Sequence, residues 1–283
     1  MAIKLIGSGG SIKLTGLGEG SIKMTSNGGG GGGGGSSIDP ATLADLDAHY
    51  LASDYVAYGT LPEDQNRTVT IGTSNILVYT ASDANFNNQP TIAWGIGQGD
   101  SWWTPNTLML PAYSTARTVY FVGKVANLDT NGTILRYGSN IYGDAYYGFF
   151  DILLENGEVK IRSYNNVSGN IEERKSQGQT ISADTPFILS YAYTENTNVN
   201  ANTLYINGVA ASGTAGTPGL MYTGGDGGDP VKSRNGIIRL GDFSFPNGPH
   251  LTLGEFAIFD VTHSAMTRQG VEAHLAAKYG IAI

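Results

Sequence analysis

An all-β, two-sheet antiparallel jelly-roll sandwich, with short helices at both ends, is the fold class this sequence predicts. Three observations predict it. The middle of the chain is a succession of Thr-, Val-, Tyr- and Ile-rich runs broken by Gly, Asn and Asp. Two breaks, Asn156-Gly157 and Asn207-Gly208, are the signals of two-residue hairpins. The 283 residues are 40% hydrophobic, enough for a large core, yet no apolar run approaches the roughly 20 residues of a membrane helix.

Composition narrows the partners. Lys+Arg 16 against Asp+Glu 24 gives a net charge of −8. That balance argues against nucleic acid, because phosphate contacts need clustered Lys and Arg. The absence of cysteine excludes disulfides, thiolate metal sites and cysteine nucleophiles. The opening stretch, MAIKLIGSGGSIKLTG, lacks the apolar core of about 7–15 residues of a secretory signal. Folding in the cytoplasm where the chain is made is therefore expected, with no membrane partner.

The elements follow in order. Residues 1–27 hold a repeat: Ile3-Lys4-Leu5, Ile12-Lys13-Leu14 and Ile22-Lys23-Met24. Alternation puts Ile3/Leu5, Ile12/Leu14 and Ile22/Met24 on one face of short strands, with the lysines opposite. Burying six aliphatic side chains contributes about 9–18 kcal/mol. Ordering such an arm costs about 25–50 kcal/mol. The arm is expected to need other copies or a larger surface, which makes it an assembly arm. Residues 28–37 are a linker of eight glycines and two serines. Residues 38–283 are the sandwich domain.

That domain opens with a predicted helix: Asp39 as N-cap, Pro40 at the first position, and Leu43, Leu46 and Tyr50 on one face. Strands are predicted at Thr68–Ile71, Ile76–Tyr79, Thr118–Val125, Gly132–Tyr137 and Tyr146–Leu154. More follow at Glu158–Ser163, Phe187–Tyr193, Asn202–Ile206, Gly236–Gly241 and Gly254–Phe259. The period then changes. Ser264 caps a helix over Ala265–Tyr279, with Val271, Leu275 and Tyr279 as its apolar stripe and Gly280 as its stop.

Here the chain resembles the concanavalin A-like, laminin-G-like jelly rolls. Leu204-Tyr205-Ile206-Asn207-Gly208-Val209 resembles their "LYVNG" strand and turn. Ile238-Arg239-Leu240-Gly241 is similar to their "RLG" strand. Leu253-Gly254-Glu255-Phe256-Ala257-Ile258-Phe259-Asp260 resembles "IAEVIIYD". Val271–Gly280 is similar to their terminal "VEAYLAAKYG" helix. Gln89-Pro90-Thr91 and Thr118–Lys124 fit earlier strands. The resemblance spans residues 39–283 and implies two face-to-face antiparallel sheets. It implies little chemistry, because the fold serves lectins, glycosidases and structural modules alike.

Retaining glucanases of this fold class carry an E-x-D-x-x-E strand. In Phe149-Phe150-Asp151-Ile152-Leu153-Leu154-Glu155, Phe149 and Leu154 stand where the glutamates belong, so Asp151 and Glu155 read as parts of a structural hairpin. His49, His250, His263 and His274 have no partner at metal or triad spacing. Gly224-Gly225-Asp226-Gly227-Gly228-Asp229-Pro230 offers too few oxygens for calcium. No catalytic residue, metal site or cofactor is expected. The aromatics are more informative: Trp94, Trp102 and Trp103, and Tyr142, Tyr146 and Tyr147 around Asp144. A flat ring beside a carboxylate suits a sugar, while core packing is the competing explanation. Trp102 and Trp103 fall on opposite faces of a strand.

These features predict a non-enzymatic surface protein of a multimeric particle. In plan it resembles tailed-phage head-decoration or tail-fibre proteins, assembled in the host cytoplasm and displayed on the virion surface. Its expected partners are its own copies, a trimer first, other virion proteins, and weakly held cell-surface glycan. A soluble carbohydrate-binding module is the alternative; a glycan-degrading enzyme comes third.

Overall fold

The computed structural model describes residues 15–17, 21–23, 36–54, 70–71, 77–94, 102–103, 108–109, 115–129, 131–139, 149–167, 170–220, 235–240 and 251–283. The chain divides into two compact units, Met1–Gly34 and Gly35–Ile283. In the first, β1 (Thr15–Leu17) pairs antiparallel with β2 (Ser21–Lys23), Gly16 opposite Ile22. Ile22 thus lies in a strand, whereas Ile3, Leu5, Ile12, Leu14 and Met24 lie outside the described residues.

The second unit is built from strands too short to bury a face alone, stacked as two sheets. Its first half supplies β3 (Leu46–Leu51), β4 (Thr70–Ile71), β5 (Leu77–Asp83), β6 (Gln89–Trp94), β7 (Trp102–Trp103), β8 (Leu108–Met109), β9 (Arg117–Val125) and β10 (Gly132–Ser139). Next come β11 (Phe149–Glu155), β12 (Glu158–Val167), β13 (Asn170–Lys175), β14 (Gln179–Thr180), β15 (Phe187–Tyr193), β16 (Leu204–Ile206), β17 (Val209–Ala210), β18 (Asn235–Leu240) and β19 (Leu251–Phe259). One helix, α1 (Ala265–Tyr279), closes the chain.

The larger sheet runs β13-β12-β11-β10-β18-β7-β4, with β14 on β12 and β8 on β18. The smaller runs β17-β16-β15-β9-β19-β6-β5, with β3 beside β6 on the far edge of β19. Every pairing in both is antiparallel. Alternation sets the layers. Val119 and Phe121 of β9, with Leu189, Tyr191, Phe256 and Ile258, face Phe150, Ile152, Leu154, Val159 and Ile161 across the sandwich. Tyr120, Val122, Ile188, Ala257 and Phe259 point the other way and meet Val271, Leu275, Ala276 and Tyr279 of α1 in a second core. The central strands of the smaller sheet are therefore buried on both faces.

The local signals are realised where they were strongest. Asn156-Gly157 and Asn207-Gly208 turn with all four φ values positive, from 50° to 76°, the backbone of a tight hairpin whose twist matches its strands. The Ser264 hydroxyl accepts from Thr267 N at 3.1 Å and starts α1, and left-handed Gly280 ends it.

One element differs from its sequence pattern. The helix expected over Asp39–Tyr50 is a single 3-10 turn, Pro40–Thr42, capped by Asp39 Oδ1 on Ala41 N at 2.9 Å. Leu46–Leu51 is instead strand β3. The spacing of Leu43, Leu46 and Tyr50 suits a helix, but Ala48 and Tyr50 alternate into the inter-sheet core. The edge of β19 supplies a ladder that a lone helical turn cannot match. The segment before β3 is clasped to α1 as well. Ile38 N donates to Gly270 O at 2.9 Å. A Cβ on Gly270 would stand 2.6 Å from Ile38 Cδ1, so glycine is required by close approach.

Candidate ligand-binding face

The two outer faces of the sandwich differ in what covers them. That of the smaller sheet is sealed by α1 over the second core. That of the larger sheet is polar, and its register can be followed strand by strand. Trp103 pairs with Arg239, Arg239 with Arg136, Arg136 with Asp151, Asp151 with Arg162, and Arg162 with Lys175. Directly opposed residues share a face, so Asp151, Arg162 and Lys175 form one row across β11, β12 and β13. The row beside it runs Leu135, Ile152, Ile161, on the core side.

The β11–β13 part of this face carries a lattice of ion pairs. Asp151, with no solvent exposure, accepts at Oδ2 from Arg162 Nε at 3.0 Å, from Arg162 Nη2, and from Thr133 Oγ1 at 3.3 Å. Arg162 also reaches Glu173 at 3.5 Å. Lys175 Nζ lies 2.6 Å from Glu155 and 3.3 Å from Glu173. Lys160 Nζ lies 2.9 Å from Glu155 and 3.2 Å from Glu158. Burial pushes the Glu155 carboxyl up, but hydrogen bonds from Lys175 and Lys160 outweigh it and hold the group below the usual carboxylate range. Burial lowers Lys160, and Glu155 and Glu158 outweigh it in turn, so its ammonium is held above its ordinary value. A glycosidase acid needs the opposite shift. Asp151 and Glu155 act here as counter-ions.

Three histidines make contacts that no local spacing signals. His263 Nε2 lies 3.0 Å from Asp45 Oδ2, and its Nδ1 lies 2.9 Å from the Tyr120 hydroxyl. Burial lowers the His263 pKa, against the opposing pull of Asp45. The Tyr120 phenol is pushed far up by burial, with Glu272 adding to it. At 1% exposure, Tyr120 fastens the fold and meets no substrate. His49 Nε2 lies 2.7 Å from Glu255, which also accepts from Lys278 at 2.6 Å and Tyr279 at 2.9 Å. Burial raises Glu255, but His49 and Lys278 outweigh it and keep the carboxyl below its ordinary range. His274 approaches Asp39 at 4.0 Å. All three contacts join residues 39–49 to residues 255–274. Sequence separations above 200 residues put the first two beyond any motif. Among the described residues, no group of three or more His, Cys, Asp or Glu could hold a metal ion.

The aromatic residues singled out by sequence are divided between the sheets. Trp102 and Trp103 form β7 in the larger sheet. Trp94 ends β6 in the smaller one, opposite Leu77, so the three tryptophans do not share a strip. Tyr142, Asp144, Tyr146 and Tyr147, between β10 and β11 in sequence, lie outside the described residues, as do Asp226, Asp229 and His250.

No family model and no curated protein matches the chain. Solved structures do. The chain is similar to the binding domain of botulinum neurotoxin serotype D, at 13% identity and a TM-score of 0.52, over 83% of this chain and 51% of that one. It is similar to the receptor binding domain of the C/D mosaic serotype, at 14% identity and a TM-score of 0.53, over 81% and 51%. It is also similar to the Trypanosoma rangeli sialidase, at 10% identity and a TM-score of 0.52, over 86% and 35%. The chain therefore spans about half the length of those neurotoxin domains and about a third of the sialidase. At these identities the likeness establishes the fold alone, an antiparallel β-sandwich of two sheets.

Proposed function

We propose that this chain is a non-enzymatic display protein. Residues 1–27 anchor it in a multimeric particle, and residues 38–283 present a lectin-like domain that holds cell-surface saccharide. The observation that carries the reading is the contrast between the outer faces: one sheet is closed by α1, the other bears the ion-paired Asp151, Arg162, Glu173 and Lys175. Two of the similar solved structures are named binding or receptor binding domains, which agrees with a recognition role. The cation-paired state of Asp151 and Glu155 supports binding over hydrolysis. The finer form of the proposal is a tailed-phage virion surface protein, in head decoration or a tail fibre, assembled in the host cytoplasm. It rests on the plan of the chain: a repeat arm, eight glycines, then the sandwich. Weak single sites suffice in such an array, because linked copies raise avidity by about 10²–10⁴.

Light scattering tests the anchoring half. The full chain is expected to be an oligomer, with a trimer first, and a chain beginning at Ile38 a monomer. Two monomers would remove self-assembly through the arm. Two equal oligomers would move the contact into the sandwich.

A further inference from the structure

We infer that Asn156, in the turn between β11 and β12, is a site of spontaneous deamidation, and that the fold protects the same dipeptide at Asn131 and Asn207. The inference is independent of the saccharide-binding reading. Six Asn-Gly pairs occur in the sequence. The structure describes the side chains of three, at Asn131, Asn156 and Asn207. Glycine after asparagine leaves the amide nitrogen unshielded by a side chain, and asparagine is among the thermally labile residues. Local sequence therefore offers three equal candidates, and their surroundings separate them. Asn131 Oδ1 accepts from Asn156 N at 2.7 Å. Asn207 Oδ1 accepts from Ile188 N at 2.8 Å, and Asn207 N donates to Ile188 O at 2.8 Å. Asn156 is exposed, and its side chain makes no hydrogen bond among the described residues.

The hairpins at Asn156 and Asn207 share their backbone, so the turn alone does not decide. Glu155 and Glu158 close one ladder, Ile206 and Val209 the other. In both, asparagine and glycine hold the two left-handed positions, and the glycine N–H lies in the turn, outside the ladder. What differs is the cost of turning the asparagine Cγ toward that nitrogen. At Asn207 the movement withdraws Oδ1 from the amide of Ile188, which is 1% exposed, and a buried N–H without an acceptor is unfavourable. Ile283 Cβ also stands 3.6 Å from the place of a Cβ on Gly208. At Asn131 the movement strips Asn156 N of its acceptor, and Gly132 is buried in β10 opposite Leu154. At Asn156 it breaks no such bond, and nothing lies within 4 Å of the place of a Cβ on Gly157. The step balances without a cofactor. Gly157 N bonds to Asn156 Cγ, the Cγ–Nδ2 bond breaks, and Nδ2 leaves as ammonia with the proton from Gly157 N. Water then opens the cyclic imide at Cγ, giving aspartate, or at the main-chain carbonyl carbon of Asn156, giving isoaspartate. Either product sets a third carboxylate beside Glu155 and Glu158, which already share Lys160.

Timed incubation of the full chain in mildly alkaline buffer, followed by trypsin and tandem mass spectrometry, tests the inference. The three pairs fall in separate tryptic peptides, 125–136, 137–160 and 176–232. The acid form at Asn156 is expected to accumulate about tenfold faster than at Asn131 or Asn207, the factor of one hydrogen bond that must first break. Part of it should accept a methyl group from an isoaspartyl methyltransferase. In urea the three rates should converge. Equal rates in the folded chain, or a faster rate at Asn131 or Asn207, overturn the inference. So does the same ranking in urea, which would make sequence and not fold the cause. No acid form at Asn156 of the folded chain, by the time the urea sample has converted, also overturns it.

Discussion

On the smaller sheet, the residues facing away from the sandwich are Tyr120, Val122, Ile188, Ala257 and Phe259, and they meet the apolar stripe of α1. On the larger sheet, the corresponding positions include Asp151, Lys160, Arg162 and Lys175, and they meet charged partners: Asp151 meets Arg162, Lys160 meets Glu155, and Arg162 and Lys175 both meet Glu173. Both sheets obey the same alternation toward the shared core. What differs is the chemistry of every second residue, and that difference decides whether a third layer is recruited. An apolar outer face gains from a helix, at roughly 25 cal/mol per Å² of apolar surface removed from water. A charged outer face must satisfy itself laterally, strand to strand.

The largest expected effect breaks the covered face. Phe259→Ala removes a fully buried ring that packs edge-on against Tyr120 at 5.7 Å and lies 4.4 Å from His263. It is expected to cost about 3–5 kcal/mol in urea unfolding. A loss below about 1 kcal/mol would mean that α1 is a loose cover.

The next prediction breaks the charged face. Arg162→Ala leaves Asp151 buried without its main cation. A loss of about 3 kcal/mol is expected, the low end for a broken buried pair because Arg162 keeps some contact with water. Adding Asp151→Leu to Arg162→Met should recover most of it, since the two residues are cross-strand neighbours. Recovery by the double substitution would show that the lattice serves specificity more than stability.

Ser264→Ala removes the hydroxyl that accepts from Thr267 N. About 1 kcal/mol is expected, read as a shift in the unfolding midpoint. An unchanged midpoint would make the packing of α1, and not its start, the source of its stability.

The smallest effect sharpens the comparison through pH. The folded pKa of His263 lies below the ordinary histidine value near 6.5. The unfolded chain then binds the proton more readily, so the contribution of this group is full above that value. It is lost as pH falls through 6.5 toward the folded value. His263→Gln should flatten the decline in stability over that window. A second loss is expected below the usual glutamate range near 4.3, where Glu155, Glu158 and Glu255 take up protons that their partners now exclude. An identical pH profile in His263→Gln would remove this histidine from the account.

Legibility in the sequence followed the range of the forces. The span Ala265–Tyr279 was readable because a cap, an apolar stripe and a glycine stop all lie within sixteen residues of one another. The hairpins at Asn156 and Asn207 were readable for the same reason. Strand β3 was not. Its leucines and tyrosine fit a helical period, and the deciding partner, β19, lies some two hundred residues away. Trp102 and Trp103 are adjacent in β7. Their separation from Trp94 depended on which sheet each strand joins. The contacts of His263 with Asp45 and of His49 with Glu255 carry no local sign, because they join residues more than 200 positions apart in the assembled fold.

Strand β19 also sets a clock. It holds β9 along one side and β3 and β6 along the other, yet it comes after all of them in the chain. During synthesis those earlier strands wait with open edges until residues 251–259 leave the ribosome. At about 5–20 residues per second, roughly 200 residues separate β3 from its partner by ten seconds or more. The sheet consequently assembles late and all at once, from contacts of long sequence separation, which makes for slow folding. Exposed edges invite pairing with other chains during that interval. A nascent chain of this protein is thus most vulnerable just before its last strand arrives.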